Sequence, residues 1–506
     1  MKNKTTAITP TRNENFPEWY QEVIKAADLA EHAAIRGCMI IKPRGYALWE
    51  AIQATLDRMI KATGHQNVYF PLLIPLEYLA QEAAHVEGFA KECAVVTHYR
   101  LEADAQGQLV PAPSAQLAEP LIIRPTSETL FGTAMAKWVQ SYQDLPILLN
   151  QWCNVMRWEM RTRLFLRTSE FLWQEGHTAH ATAAEAETET AQMLDVYETL
   201  VRDYLAIPVI KGRKTPAERF PGAVETYTIE AMMQDGKALQ AGTSHFLGQN
   251  FSKAYNITFT DRSQATEHAW TTSWGLSTRI IGALIMVHSD DDGLVLPPRI
   301  APEQVILIPV AMNADDLPAI LGYCQTLQVV LSHQQYAGTS IRVVIDKTEK
   351  RAGEKFWQAV KKGTPIRIEI GRKEMESKQF SLSRRDKPAK EKVQLTHEQL
   401  LAQIPGILEE IQQNLLQRAL AFREKHTVVI NTLEELKALF SEDNAVDQFA
   451  MAYFDPAIEN SPNVVEVFKA LKISTRCIPL EQSNISGTCI FSGKSTNQQV
   501  ILARAY

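Results

Sequence analysis

Apolar residues recur at helical spacing twice near the start of the chain. PEWYQEVIKAADLAEHAAI predicts a helix opening at Pro17. After Pro43, Leu48, Ile52, Leu56 and Met59 or Ile60 predict a second helix that ends near Gly64. VYFPLLIP (68–75) reads as a buried strand, which Pro71 and Pro75 confine to an edge or a distorted position. Period two then takes over. In WCNVMRWEM, Trp152, Met156, Trp158 and Met160 form an apolar face, and Cys153, Val155, Arg157 and Glu159 form the other. A basic loop, RTRLFL, leads to RTSEFLWQEGHT. If that stretch is extended, Arg167, Ser169, Phe171, Trp173, Glu175 and His177 share one face. A helix is predicted over 181–205. VETYTIEAMM and KALQAGTSHFLG then flank Asp235-Gly236, a hairpin signal.

After residue 296 the pattern changes. LVLPPRIAPEQ has the look of an interdomain linker, and VILIPV, RVVIDK and PIRIEIG are strands separated by helical stretches such as EKFWQAVKKG. A helix over about 396–425 leads into a last α/β segment, 427–506. The 506 residues suggest about three domains. The N-terminus has no apolar signal region and no run is long and apolar enough to span a membrane. Six scattered cysteines, with no CxxC pair, suit a reducing cytoplasm. The net charge of −6 argues against a general polyanion binder but not against a local basic patch.

A face with arginine at one end, Phe171 and Trp173 in the middle and Glu175 and His177 at the other makes a poor core. It makes a good floor for a small charged ligand. Neither GxxxxGK[ST] nor GxGxxG occurs, so a bound nucleotide is not cradled by a P-loop or a Rossmann turn.

Four pieces stand in order: RPTSET (124–129), VMRWEMRTRLFLRTSEFLWQEGHT, QAGTSHFLGQNFSK (240–253) and GLSTRIIGALIMVHSDDDGLVLPP (275–298). Together they resemble class II aminoacyl-tRNA synthetases, specifically the prolyl family of archaeal/eukaryotic-like type. VYFPLLIP is similar to motif 1, the hairpin to motif 2 and STRIIGALIM to motif 3; HVEGF (85–89) and the terminal ARAY also match. The resemblance implies an α+β catalytic domain with an antiparallel sheet over 1–296, an α/β anticodon-binding domain over 302–410, and a small α/β C-terminal domain over 427–506. It implies a cytoplasmic homodimer that joins proline to tRNA-Pro with ATP and Mg2+.

The implied ATP contacts are Arg157 (α-phosphate and amino-acid carboxylate), Glu159, Arg167 (phosphate tail), Gln240, Thr243 and Arg279 (motif 3). The implied proline pocket is Thr126, Glu128, Arg157, Phe171, Trp173, Glu175, His177 and His245. Glu128 pairs the ammonium and the aromatics enclose the ring. Glu175 is either a pocket wall or a support for His177. No general base is implied, because positioning and electrostatics carry phosphoryl-transfer chemistry of this kind. Lys and Arg outnumber Asp and Glu by roughly two to one over 361–392, which suits RNA phosphates. Glu369 and Arg384 or Arg385 are candidate anticodon readers.

The chain departs from the family pattern in three places. Only about a hundred residues separate motifs 2 and 3, too few for the bacterial editing insertion. The C-terminal zinc cysteines reduce to Cys477 and Cys489, too few for a tetrahedral site, so no zinc is expected. Ser289 stands where glycine is usual, a change that bears on the turn after motif 3. Two rivals stay open: another class IIa synthetase, and a catalytically silent tRNA-binding paralogue.

Overall fold

The computed structural model describes residues 7–78, 92–441, 446–482 and 485–506. HVEGF lies outside them.

The first helix, Phe16–Ala26, is capped by Asn15, whose side chain accepts from the Glu18 amide at 3.2 Å. It is shorter than its pattern predicts. Asp28 takes a left-handed φ of 57°, Leu29 is buried, and Ala30–His32 pairs as a strand with Met39–Ile41. Burial of Leu29 overrides the helix propensity of the alanines. The second helix, Pro43–Ala62, follows its pattern and buries Leu48, Ile52, Leu56 and Ile60.

The core is an antiparallel sheet. Val209–Arg213, Glu225–Met232, Ala238–Gly248, Trp270–Ser277, Glu170–His180 and Ile147–Met156 lie side by side in that order. Gly236, at φ +81°, turns the predicted hairpin, and a Cβ there would strike the Asp447 carbonyl. One face of the sheet is covered by Ala183–Thr199, which continues as a π-helical turn over Leu200–Tyr204, and by Arg279–His288.

Two extended readings need correction. Residues 68–75 are not one buried strand: Gln66–Asn67 and Leu73–Pro75 belong to different sheets, Tyr69 and Leu73 are exposed, and only Phe70 and Ile74 are buried. The motif 2 strand stops at Met156, leaving Trp158 and Met160 exposed, and its partner starts at Glu170. Arg167 and Ser169 therefore sit in the connecting loop. That loop is closed by paired Arg163–Arg167 backbone bonds of 2.8 and 2.9 Å and anchored by buried Leu164, Phe165 and Leu166.

The supposed linker is buried. Leu294, Val295 and Leu296 are at most 1% exposed and fill two cores at once, so this segment wedges the following sheet against the first sheet's core. That sheet runs Val343–Ile345, Val305–Pro309, Ile366–Ile370, Gln379–Arg384, Val393–Thr396, with the first three strands parallel. Helix His397–Lys425, capped by Thr396, then crosses to the C-terminal segment. Its strands Thr427–Ile430, Phe449–Tyr453, Gln499–Ala503 and Ser474–Pro479 extend the core sheet, because Ser474–Pro479 pairs with Val209–Arg213. Periodicity gives no sign of that junction, since it says nothing about which distant strand a segment pairs with. Ser289 is buried at φ −65°, a conformation any residue adopts, so its turn needs no glycine.

Candidate active site

Alternation on Glu170–His180 sends Phe171, Trp173, Glu175 and His177 to the sheet face opposite the helices, and all four line one cavity of about 330 Å³. The hairpin around Gly236 supplies the next wall. Thr226 pairs with His245, Thr228 with Thr243 and Glu230 with Gln240. A register shift at Ile229/Glu230 sets Gln240 opposite Glu230, and Gln240 lines the pocket. Thr126, Glu128, Arg157, Gln240, Thr243, His245 and Arg279 complete the predicted lining.

Arg157 occupies the centre. Its Nε donates to the Pro125 carbonyl at 2.9 Å, and its guanidinium carbon lies 5.7 Å from the Phe171 ring and 5.2 Å from that of Trp173. Burial lowers its pKa to about 10, with Glu128 and Glu175 opposing the shift, so it stays charged at neutral pH. Glu128 accepts a short hydrogen bond from Thr126 Oγ1.

Glu175 is both wall and support. It accepts from the Ser127 amide at 3.1 Å, Ser127 Oγ at 2.5 Å and Gln151 Nε2 at 3.0 Å, and lies 3.1 Å from His177 Nε2. Burial alone would raise its pKa, but these bonds, His177 first, hold it below the ordinary value. His177 stacks on Phe131 at 4.1 Å.

Glu159 and Arg167 lie apart from the other candidates, in an adjoining chamber of about 270 Å³ that shares Arg157, Phe171, Ser277 and Arg279 with the first. Arg167 Nε donates to Glu159 Oε2 at 2.6 Å. Arg279 opens helix Arg279–His288 and donates through Nε to the Leu166 carbonyl at 3.1 Å. Three arginines thus converge where the chambers meet, an arrangement that can grip a polyanion.

Sequence reasoning missed Glu218, Arg219, Phe220 and Pro221, a loop over the pocket mouth, and Thr226 and Ser273 on its floor. Phe220 lies 4.6 Å from His245. Thr226 was within reach, since the Asp235-Gly236 hairpin implies the strand opposite His245. The loop has no periodicity to read.

Of the anticodon candidates, Glu369 remains partly exposed and paired with Lys392, while Arg384 is held by Asp386 at 2.8 Å and Glu410 at 2.7 Å. Arg385 is corrected. It is 4% exposed and donates to both Asp290 oxygens, at 2.7 and 2.5 Å, and to the Leu294, Val360 and Gly293 carbonyls. It is a buried latch between the α/β domain and the loop after motif 3, and its burial keeps it from the surface where RNA would bind.

Two buried histidines give the fold an acid response. Burial pushes His245 down to about 3, with His177 adding to the shift, and pushes His288 down to about 3, with Arg418 adding. Both are neutral when folded, whereas the unfolded chain protonates them below about pH 6.5. Stability therefore falls as pH drops from about 6.5 toward 3, by roughly 1.4 kcal/mol per pH unit for each histidine. Urea midpoints at about pH 7 and about pH 5.5 measure this, and His288→Gln is expected to flatten the slope.

Comparison with known proteins settles the family. Residues 113–288 match the tRNA synthetase class II core domain (G, H, P, S and T), and residues 304–405 match the anticodon binding domain. The chain is 56% identical over 502 residues to the proline–tRNA ligase of Bdellovibrio bacteriovorus, covering 99% of each chain. The chain belongs to the proline–tRNA ligases. The enzyme of Akkermansia muciniphila is 54% identical over 510 residues and the whole of both chains. A crystal structure of prolyl-tRNA synthetase from Cryptosporidium parvum, complexed with halofuginone and AMPPNP, superposes with a TM-score of 0.89 at 35% identity, covering 99% of each chain. The two rivals, a sister class IIa synthetase and a silent paralogue, give way to an aminoacyl-tRNA ligase acting on proline and tRNA with ATP.

Proposed function

We propose that proline binds at the Glu128 end of the first chamber and that ATP spans the rest of that chamber and the second. The carrying observation is the charge order of the first chamber: Glu128 and Glu175, and Arg157 over the rings of Phe171 and Trp173. That order matches a small apolar ring bearing an ammonium and a carboxylate. Glu128, with Thr126 beside it, pairs the ammonium. Phe171, Trp173, His177 and His245 enclose the ring. Arg157 takes the carboxylate and the α-phosphate. Glu159, Arg167, Gln240, Thr243 and Arg279 bind ATP, a reading that the AMPPNP in the C. parvum structure supports.

A proline carboxylate oxygen attacks the α-phosphorus and pyrophosphate leaves. The terminal ribose hydroxyl of tRNA-Pro then attacks the adenylate carbonyl and AMP leaves. Arg157 stabilises charge growing on the α-phosphate, and Arg167 and Arg279 stabilise it on the leaving pyrophosphate. Glu128, Glu175 and His177 place ligand atoms within 4.8 Å of one another. Glu175 is already saturated by its donors, so this cluster suits an ammonium better than a metal. Mg2+ enters as part of the ATP substrate, with Glu92 and Glu159 in the second chamber and Glu218 in the first among the carboxylates lining the site.

Glu369 and Arg384 remain the anticodon candidates. Exposed Tyr69, Leu73 and Leu76, in the motif 1 region, support a homodimer. Among the described residues no helix is long and apolar enough to cross a membrane; a tRNA substrate supports a cytoplasmic enzyme. The region between motifs 2 and 3 is occupied by core strands and their helices, which supports the absence of an editing insertion. Cys477 packs against Gly212 and Cys489 accepts from the Asp455 amide, uses that support a fold made without zinc.

The test is ATP–pyrophosphate exchange without tRNA, across all standard amino acids. Exchange with proline is expected. Exchange with another amino acid instead would discard the pocket assignment.

A further inference from the structure

Behind Gln240 lies a buried charge cluster that the mechanism above does not use. Glu230 is fully buried and accepts four bonds. Lys214 Nζ and Thr228 Oγ1 donate to Oε1, each at 2.9 Å, and Arg476 Nε and Nη2 donate to Oε2 at 3.2 and 3.0 Å. Lys214 Nζ also donates to the Arg476 carbonyl at 2.8 Å. With its acceptor sites filled, Glu230 is no metal ligand. Two cations on one carboxylate leave one excess positive charge in a site only 2 to 7% exposed at its cations.

The cluster borders the nucleotide side. Glu230 is the cross-strand partner of Gln240, at the register shift, and Gln240 lines the pocket. Directly opposite residues of an antiparallel pair share a face, so Glu230 belongs to the pocket side of the sheet. Arg476 comes from the C-terminal segment, on the strand Ser474–Pro479 that pairs with Val209–Arg213 of the core. The charges of Arg476 and Glu230 are both felt at Arg279, and that of pocket-lining Glu218 at Arg476.

We propose that Arg476 is a positioning residue for ATP: it holds Glu230 neutralised beside Gln240 and keeps the potential at the nucleotide end of the pocket positive. Without it the cluster loses its excess charge, and Glu230 Oε2 loses both donors of Arg476. Proline, bound at the Glu128 end, is insensitive to the change. The inference rests on the assignment of ATP to Gln240 and Arg279.

The test is proline-dependent ATP–pyrophosphate exchange by the full-length enzyme carrying Arg476→Gln, with thermal unfolding recorded alongside. KM for ATP is expected to rise about tenfold while KM for proline stays within about twofold. Arg476→Lys is expected to restore KM for ATP to within about threefold of the unaltered enzyme. Lys214→Gln removes the same charge from the other side of Glu230 and is expected to give the same split; it serves as the probe if Arg476→Gln does not fold. An unchanged KM for ATP in a folded variant, or equal rises for both substrates, overturns the proposal. Absence of proline-dependent exchange in the unaltered enzyme would instead overturn the pocket reading beneath it.

Discussion

Arg157→Ala is expected to lower kcat/KM for proline-dependent ATP–pyrophosphate exchange on the order of 10³-fold, or about 4 kcal/mol of transition-state stabilisation. The guanidinium stands between the carboxylate pair and the second chamber, where the carboxylate and α-phosphate react. Its position is set by the Pro125 carbonyl and two aromatic rings, so little reorganisation is needed at the moment of reaction. Removal also takes away a buried cation that interacts with Glu128 and Glu175, which weakens ground-state binding of both substrates. Arg157→Lys keeps the charge but not the planar fork, and is expected to recover only part of the loss. Full exchange by Arg157→Ala would sink the assignment.

Glu128→Gln is expected to raise KM for proline about 100-fold and to change KM for ATP little, since a charged hydrogen bond contributes about 1.5–3 kcal/mol. The substitution keeps the shape and the Thr126 contact while removing the charge. Glu175 cannot take over the ammonium, because its oxygens are committed to Ser127, Gln151 and His177. Steady-state exchange with each substrate varied in turn measures the split. A matching rise in both KM values would mean that Glu128 shapes the pocket as a whole and does not select the ammonium.

Most of the pocket was legible because it is written at period two. Phe171, Trp173, Glu175 and His177 alternate on a strand that does form, and Gln240, Thr243 and His245 lie on a hairpin whose turn the sequence announces. Arg167 and Glu159 illustrate the limit. Both were carried onto strands that stop short of them, and they meet in a loop where alternation has no force. Arg385 illustrates another. A basic residue in a basic stretch reads as an RNA contact, and only its five bonds to one junction reveal an internal latch.

By itself the sequence determined the class of sheet, the order of elements and the residue types that meet the substrates. Alternation, helix spacing and turn chemistry are local, and the chain obeys them wherever burial does not object. Only the tertiary structure decided that the 294–298 segment is buried, that the first helix stops at Ala26, that the C-terminal strands complete the catalytic sheet, and that Arg476 reaches Glu230. Each of these depends on which distant surfaces exclude water together, and residues hundreds of positions apart carry no periodicity that records their meeting.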